Sequence, residues 1–290
     1  MENFFDFIKE NPSVKRHQVN DLLFAEYQCP LSETRYDIWS HHNYFIYVTS
    51  GQKKWFTLNQ EALVQQGDCL FVRKGGHSVY QYFDSDFCAL VMFVPDAFIR
   101  SVLLESRIKT GNPDDHTEWD SLFSIKADNQ LAAYFNSFLS YLSASDTPED
   151  KLLELKFREL IMVIASGTGN KKLSGYFAGL CKTDKPTLQE VMEANYTYPM
   201  NLEEYARLSR RSLSTFKRDF SEIYHTTPGR WLTKKRLDLA KYLLKHTNKT
   251  VTETVLDCGF KNVSHFSRIF RETYDITPLE YSKKQPEQAK

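Results

Sequence analysis

The sequence predicts an α+β chain: an N-terminal barrel of short strands with a helical hairpin behind it, then an all-α C-terminal domain in which a long helix joins two helix-turn-helix units. Three observations carry this expectation. Runs rich in Val, Phe and Tyr recur at a spacing of about ten residues in the first third of the chain. From Pro95 onward, apolar residues return every three or four positions. Near the C-terminus a 20-residue pattern occurs twice, as SLSTFKRDFSEIYHTTPGRW (212–231) and NVSHFSRIFRETYDITPLEY (262–281).

The segments YFIYVTSG, KKWFTL, CLFVRKGG, SVYQYF and FCALVMFVP read as strands, separated by turns at Ser50-Gly51, Gln66-Gly67-Asp68 and Gly75-Gly76. The turn order, SG, then GD, then GG-H, resembles the small cupin-like barrel, which is expected to occupy residues 1–95. Trp39, Tyr44, Tyr47, Trp55, Tyr80 and Tyr82 are candidates to line a ligand pocket in it; plain barrel packing accounts for the same aromatics. His41, His42 and His77 raise the question of a metal. His41 and His42 are adjacent, so on a strand they would face opposite sides, and no H-x-H with a following carboxylate occurs. Structural histidines are therefore expected, with no metal and no cofactor.

Residues 96–182 are expected to be helical. DAFIRSVLLES reads as one helix; NQLAAYFNSFLSYLS, from Asn129, and PEDKLLELKFRELIMVIAS, from Pro148, read as two more joined by a turn at 143–148. The last of these ends with Met162, Val163 and Ile164, which leave nearly every side apolar, more than a surface helix needs. A dimerisation or partner surface is expected here, packed on the barrel or on a second subunit.

The third domain, 183–290, follows a short polar linker at Asp184-Lys-Pro186. Thr187/Glu190, Asn201/Glu204, Thr250/Glu253 and Thr277/Glu280 have the spacing of the capping box, in which a side-chain oxygen satisfies an orphan amide of the first turn and the Glu reaches back. Pro228 and Pro278 stand at first helical positions, where no amide hydrogen is needed. In the first repeat, Leu213, Phe216 and Phe220 fall on one side of a helix; Ser214, Thr215 and Arg218 lie opposite, with Lys217 at the flank. In the second, Val263, Phe266 and Phe270 form the apolar stripe, and Ser264, His265 and Arg268 point away, with Ser267 at the edge. Short polar side chains let a helix axis approach the floor of a DNA major groove, and an arginine there can make two bonds to guanine.

Each repeat follows a shorter helix, LEEYARLS or VTETVLDC, across a tight turn, which is the helix-turn-helix arrangement. PGRWLTKKRLDLAKYLLKHT between them is expected to be one rod holding two recognition helices roughly 34 Å apart, the spacing of successive major grooves. The net charge of zero conceals a division: residues 183–290 carry 19 Lys and Arg against 14 Asp and Glu, so the rest of the chain is acidic by the same margin. A basic domain on a neutral chain fits a polyanionic partner.

RSLSTFKRDF, TTPGRWLTKKRLDLAKYLL and CGFKNVSHFSRIFRETYDITPLEY closely resemble the AraC/XylS family of bacterial transcription regulators over about the last hundred residues. SGQKKW, GDCLFVRKGG and ALVMFVPDAFI look like the sensing domain of many members, most similar to the ExsA-type branch, where control is exerted by a protein partner. The resemblance implies a sequence-specific regulator, an activator, that binds double-stranded promoter DNA as a homodimer, works with RNA polymerase and answers to a small-molecule effector or a regulatory protein. It places Ser214, Thr215, Lys217 and Arg218, and Ser264, Ser267 and Arg268, at the bases, with Arg211, Lys234, Lys261 and His265 as candidates for phosphates. Lys235 and Arg236 are assigned to phosphates or to solubility. Two departures from the family pattern stand out. Arg210 occupies a turn position usually held by Gly, so an adjusted backbone is expected, and Thr254 and Val255 replace the usual Ile and Ala.

No apolar run approaches the roughly 18 residues of a membrane span, and the opening MENFFDFIKENPSVKRH has no export-type apolar stretch, so a cytoplasmic protein is expected. Five scattered cysteines without a C-x-x-C pair suit reduced thiols. No nucleophile elbow, phosphate loop or paired-carboxylate constellation is present, so no enzyme is expected; the alternative is a cupin-type metal enzyme with an appended helical domain.

Overall fold

A computed structural model describes residues 1–28, 34–82, 86–108, 110–112, 120–126, 129–143, 149–182 and 186–283. Cys29, residues 144–148 of the expected turn, and Asp184 of the expected linker lie outside the described residues. The chain forms two compact units, Met1–Lys185 and Pro186–Lys290.

The first unit contains two sheets. One has the order β1 (Glu2–Asn3), β4 (Arg35–Ser40), β9 (Gly75–Gln81), β6 (Gln52–Phe56) and β7 (Glu61–Gln65). The other has the order β11 (Leu122–Ile125), β8 (Cys69–Val72), β5 (Asn43–Ser50), β10 (Cys88–Val94), β3 (Leu22–Gln28) and β2 (Arg16–Val19). All the pairings are antiparallel except the two-residue ladder of β1 on β4.

The second sheet is buried on both faces, and the alternation of side chains along each strand divides the core in two. Ala89, Val91 and Phe93 of β10, with Leu23 and Ala25 of β3 and Tyr44, Ile46 and Val48 of β5, pack toward the other sheet, where Ile38, Trp55, Val64 and Val79 meet them. Leu90, Met92 and Val94, with Phe24, Phe45, Tyr47 and Phe71, face a layer of helices. A one-residue slip of β10 would exchange the two sets, so its register is held from both sides.

That helical layer consists of α2 (Asp96–Ser106), α3 (Asn129–Ser143), α4 (Asp150–Ser166) and α5 (Lys171–Leu180). The helices of 96–182 therefore share a core with the sheet: Phe135 of α3 stacks on Tyr47 at 4.5 Å, and Phe177 of α5 meets Phe71 edge-on. A buried polar network ties the layers together. Asn43 Nδ2 donates to Asp96 Oδ1 at 2.7 Å, Lys74 Nζ pairs with Asp96 Oδ2 at 2.7 Å, and the Tyr176 hydroxyl donates to Asn43 Oδ1 at 3.2 Å. Asp96 also opens α2, where the helix dipole favours a negative charge. The short helix α1 (Phe4–Glu10) is capped by Asn3, which accepts from the Asp6 amide, and buries Phe4, Phe5 and Ile8.

The second unit is all helical: α6 (Leu188–Asn195), α7 (Leu202–Leu208), α8 (Leu213–Tyr224), α9 (Pro228–His246), α10 (Val251–Asp257), α11 (Val263–Tyr274) and α12 (Pro278–Lys283). The capping boxes at Thr187/Glu190, Asn201/Glu204 and Thr250/Glu253 close in both directions, and Thr277 and Glu280 exchange the same pair of bonds. Among the described residues no helix is long and apolar enough to cross a membrane.

Two expectations follow from the first unit. Lys74→Met strands the Asp96 carboxylate in the core and lowers stability by about 3–5 kcal/mol, measured by urea denaturation. Burial pushes the His77 imidazole down to about 3, so between pH 6.5 and 3 the unfolded chain binds the proton and the folded chain does not. Stability is intact above about pH 6.5 and falls as the pH drops, with a slope of up to ~1.4 kcal/mol per unit. Denaturation midpoints at pH 7.5 and 5.5 measure this, and His77→Gln flattens the slope.

Candidate nucleic-acid interface

The site is built from two copies of one small structure, the motifs α7–α8 and α10–α11. Ser212 caps α8 by accepting from the Thr215 amide, and Asn262 caps α11 by accepting from the His265 amide. Each helix buries two phenylalanines, Phe216 and Phe220 or Phe266 and Phe270, at 0% exposure. Each ends in a left-handed residue, His225 at φ 52 and Asp275 at φ 57, that turns the chain into a Thr-Pro helix start. Aromatic rings lock the turn. Phe220 stacks on Tyr224 at 4.4 Å and meets Trp231 edge-on; Phe270 meets Tyr274 at 4.8 Å and Tyr281 at 5.8 Å.

The opposite faces are open. Ser214, Lys217 and Arg218 are exposed on α8, with Thr215 half-buried; Ser264, His265 and Arg268 are exposed on α11, with Ser267 half-buried. Thr215 Oγ1 accepts from the Ser212 hydroxyl at 2.9 Å. Each arginine has a glutamate one turn on: Arg268 Nη1 donates to Glu272 at 2.8 Å, and Arg218 Nε lies 4.0 Å from Glu222 while its Nη2 donates to Asp219 at 3.1 Å. Both guanidinium groups remain mostly in solvent, at 67% and 61% exposure for Arg218 and Arg268. Lys234 and Lys261 are exposed as well.

Several expectations need correction. Val263 is 39% exposed and does not belong to the buried stripe, because it is the first residue of α11 and precedes the helix's packed turns. Leu213, its counterpart on α8, is half-buried. Arg211 does not extend toward a ligand. Its Nε pairs with Asp219 at 3.2 Å, and its Nη1 donates to the carbonyls of Ser209 and Pro186 at 2.8 and 3.3 Å, so it stitches the turn before α8.

Lys235 and Arg236 are likewise engaged within their own unit. Lys235 pairs with Glu193 at 2.5 Å and lies over the Trp231 ring; Arg236 donates from Nε to the Tyr196 carbonyl and from Nη2 to the Tyr198 carbonyl, both at 2.6 Å. The signal lies in the spacing: Arg236 is four residues from Leu232 and from Ala240, on the buried stripe of α9. The backbone at Arg210 is not adjusted. It adopts φ 53 in the left-handed region, as Gly259 does at φ 75 in the second motif. Thr254 is fully buried, its hydroxyl donating to the Thr250 carbonyl at 2.9 Å, and Val255 joins the core of the second motif.

The six aromatics considered for a pocket fall in three places. Trp39, Tyr44 and Trp55 are buried on the sheets of the first unit, with Tyr44 and Trp55 in the core between them. Tyr47 faces the helices. Tyr80 and Tyr82 line a surface groove of about 680 Å³ with Arg35, Lys54 and Phe56. His41 and His42 lie in the bend after β4, with rings 4.2 Å apart and both against Phe5, so they do not face opposite sides. Among the described residues, no three His, Cys, Asp or Glu side chains converge as a metal site.

Comparison with known proteins agrees with this arrangement. Residues 43–176 match the ExsA N-terminal regulatory domain, and residues 205–284 match a helix-turn-helix domain. The chain is 24% identical over 265 residues to the virulence regulon transcriptional activator VirF of Yersinia enterocolitica, covering 89% of this chain and 94% of that protein. It is 39% identical over 110 residues to the regulator GbdR of Pseudomonas aeruginosa, covering 36% and 29% of the two chains. Among solved structures, ToxT of Vibrio cholerae aligns over 91% of this chain and 98% of its own, at 15% identity and a TM-score of 0.41. VirF and GbdR are named regulators of transcription, not enzymes. With a regulatory domain ahead of a duplicated helix-turn-helix domain, the chain belongs to the AraC/XylS family of transcription regulators.

Proposed function

We propose that α8 and α11 enter successive major grooves on one face of promoter DNA, and that the N-terminal unit controls this binding. One observation carries the reading: the same capped helix, apolar behind and arginine-bearing in front, occurs twice around one rod. Ser214, Thr215, Lys217 and Arg218 read one half-site, and Ser264, Ser267 and Arg268 the other. Lys234, Lys261 and His265 meet phosphates; Arg211, engaged within its own motif, does not. Each reading arginine leaves a solvated glutamate pair on binding, and an exposed pair of this kind costs little to open.

The relative from Yersinia enterocolitica is named a transcriptional activator, and we assign the same sense of regulation here, with RNA polymerase as a further partner and the cytoplasm as the compartment where the DNA lies. Trp55 and Tyr44 fill the space between the sheets with side chains, which supports control through a protein partner over an enclosed small molecule. A homodimer is supported by the outer face of α4. Leu152, Leu155 and Met162 are exposed there at spacings of three and seven residues, Leu155 at 61%, and α2 carries a further exposed leucine, Leu104. Glu159 falls within this stripe, seven residues after Leu152, and pairs with Lys156 at its edge, while the Arg158–Glu105 ion pair borders the other side, so the seam is apolar except for one paired carboxylate.

Two measurements test this reading. Binding to a duplex selected from random DNA falls with the logarithm of salt, and Arg218→Ala costs about 1–3 kcal/mol and relaxes preference at one base position. Equal weakening on every sequence would make Arg218 a phosphate contact. In sedimentation, Leu155→Glu raises the dimer dissociation constant by about tenfold or more with circular dichroism unchanged; an unaltered dimer places the interface elsewhere.

A further inference from the structure

We propose that Arg236 and Gly259 set the distance and phase between the two recognition helices, so that together they fix how many base pairs separate the two half-sites. The inference rests on the reading in which both helices enter the DNA.

A rod alone does not fix this geometry. The chain joins α8 to α9 through a left-handed residue and two threonines, and α9 to α10 through Thr247–Thr250. Each connection is short: the rings of Phe220, Tyr224 and Trp231 brace the first, and α9 shares a core with the second motif. The two motifs are tied to each other directly through the segment Tyr196–Met200, which leads from α6 into α7 and so carries the first motif.

Three consecutive residues of that segment are held. From the α9 side, Arg236 grips the carbonyls of Tyr196 and Tyr198 with its two-pronged guanidinium, both bonds at 2.6 Å. From the second motif, the turn between α10 and α11 comes so close to the residue between them that a Cβ on Gly259 would stand 2.5 Å from the Thr197 oxygen and 2.8 Å from its carbonyl carbon. The segment is anchored in turn to α7, because the buried Tyr205 hydroxyl donates to the Asn195 carbonyl at 2.7 Å. Meanwhile α9 holds α11 through the Tyr274 hydroxyl on Asp238, at 2.9 Å, and Lys241 over the Tyr274 ring. The second motif's turn thus bears directly on the backbone that leads into the first motif, and Arg236 keeps that backbone in place.

The comparison of Gly259 with Arg210 separates this role from ordinary turn chemistry. Both have left-handed φ, and the first motif tolerates an arginine there. Glycine in the second motif is required by the neighbour it touches, not by the turn alone.

Arg236 is thus a positioning residue, and its test reads geometry as well as affinity. Full-length protein selects its site from random duplexes, and the two half-sites are then rebuilt with the intervening DNA shortened or lengthened by one or two base pairs. One base pair moves a half-site by about 3.4 Å and rotates it by about 35°. The wild type loses about tenfold or more in affinity for each step away from its optimum. In Arg236→Met, which keeps an aliphatic stem on the buried stripe, the loss per step shrinks to about threefold or less, while affinity for a duplex bearing one half-site is unchanged. Arg236→Lys, able to reach one carbonyl at a time, falls between the two and covers the case in which the methionine variant does not fold. Gly259→Ala shifts the preferred spacing itself.

If the arginine variants keep the wild-type dependence on spacing, the inference is overturned. If wild-type protein protects only one half-site on its selected DNA, the two-groove reading fails instead, and the footprint distinguishes that result from the first.

Discussion

A recognition helix must bury one face firmly and leave the other bare, and this chain meets that demand with paired phenylalanines. Phe216 and Phe220, and Phe266 and Phe270, have no contact with solvent, although the helices that carry them lie at the surface. Burying a side chain of this size stabilises by roughly 1.5–3 kcal/mol, and the aromatic contacts with Tyr224, Trp231, Tyr274 and Tyr281 add direction to that gain. Once the back is anchored, the front can consist of residues that contribute nothing to folding. Its serines, threonine and lysine are then free to be chosen for what they meet outside.

The same division of labour governs the charges of the C-terminal unit. Of its many cations, some work inward and some outward, and the sign of the charge does not tell which. Arg211, Lys235 and Arg236 direct their donors to carbonyls and carboxylates of their own unit. Arg218, Arg268, Lys217, Lys234 and Lys261 do not sink into the core. Net basicity thus overstates the footprint available to a polyanion.

What could be read from the chain alone follows from how local the cause is. Capping boxes, Thr-Pro helix starts and the buried phenylalanine pairs of α8 and α11 depend on residues within one or two turns, and they stand where the pattern puts them. The helix Asp96–Ser106 coincides with DAFIRSVLLES for the same reason. The expectations that changed depend on distant neighbours. Val263 is apolar by type, yet it stands at the first residue of α11 and stays 39% exposed. Arg236 is cationic by type, but α9 turns it onto carbonyls 38 and 40 residues away. Tyr44 and Tyr47, three residues apart on one strand, face opposite sides by alternation alone; what depends on distant neighbours is that both sides are buried, one by the facing sheet and one by the helices. No apolar pattern is singled out over α5, which contains Gly175 and Gly179 and packs on Phe71 and Phe123 through Tyr176 and Phe177.

The network around Asn43 has a mechanical consequence. Asn43 begins a central strand, Asp96 begins α2, Lys74 lies in the turn leading into β9, and Tyr176 belongs to α5. Four elements therefore meet at one dry knot of polar atoms, where sliding any one of them would strand a donor or a charge away from water. Strand, turn and both helices are obliged to travel together or not at all, and a push delivered at the rim of the sheet reaches the helical layer as a displacement instead of being absorbed on the way.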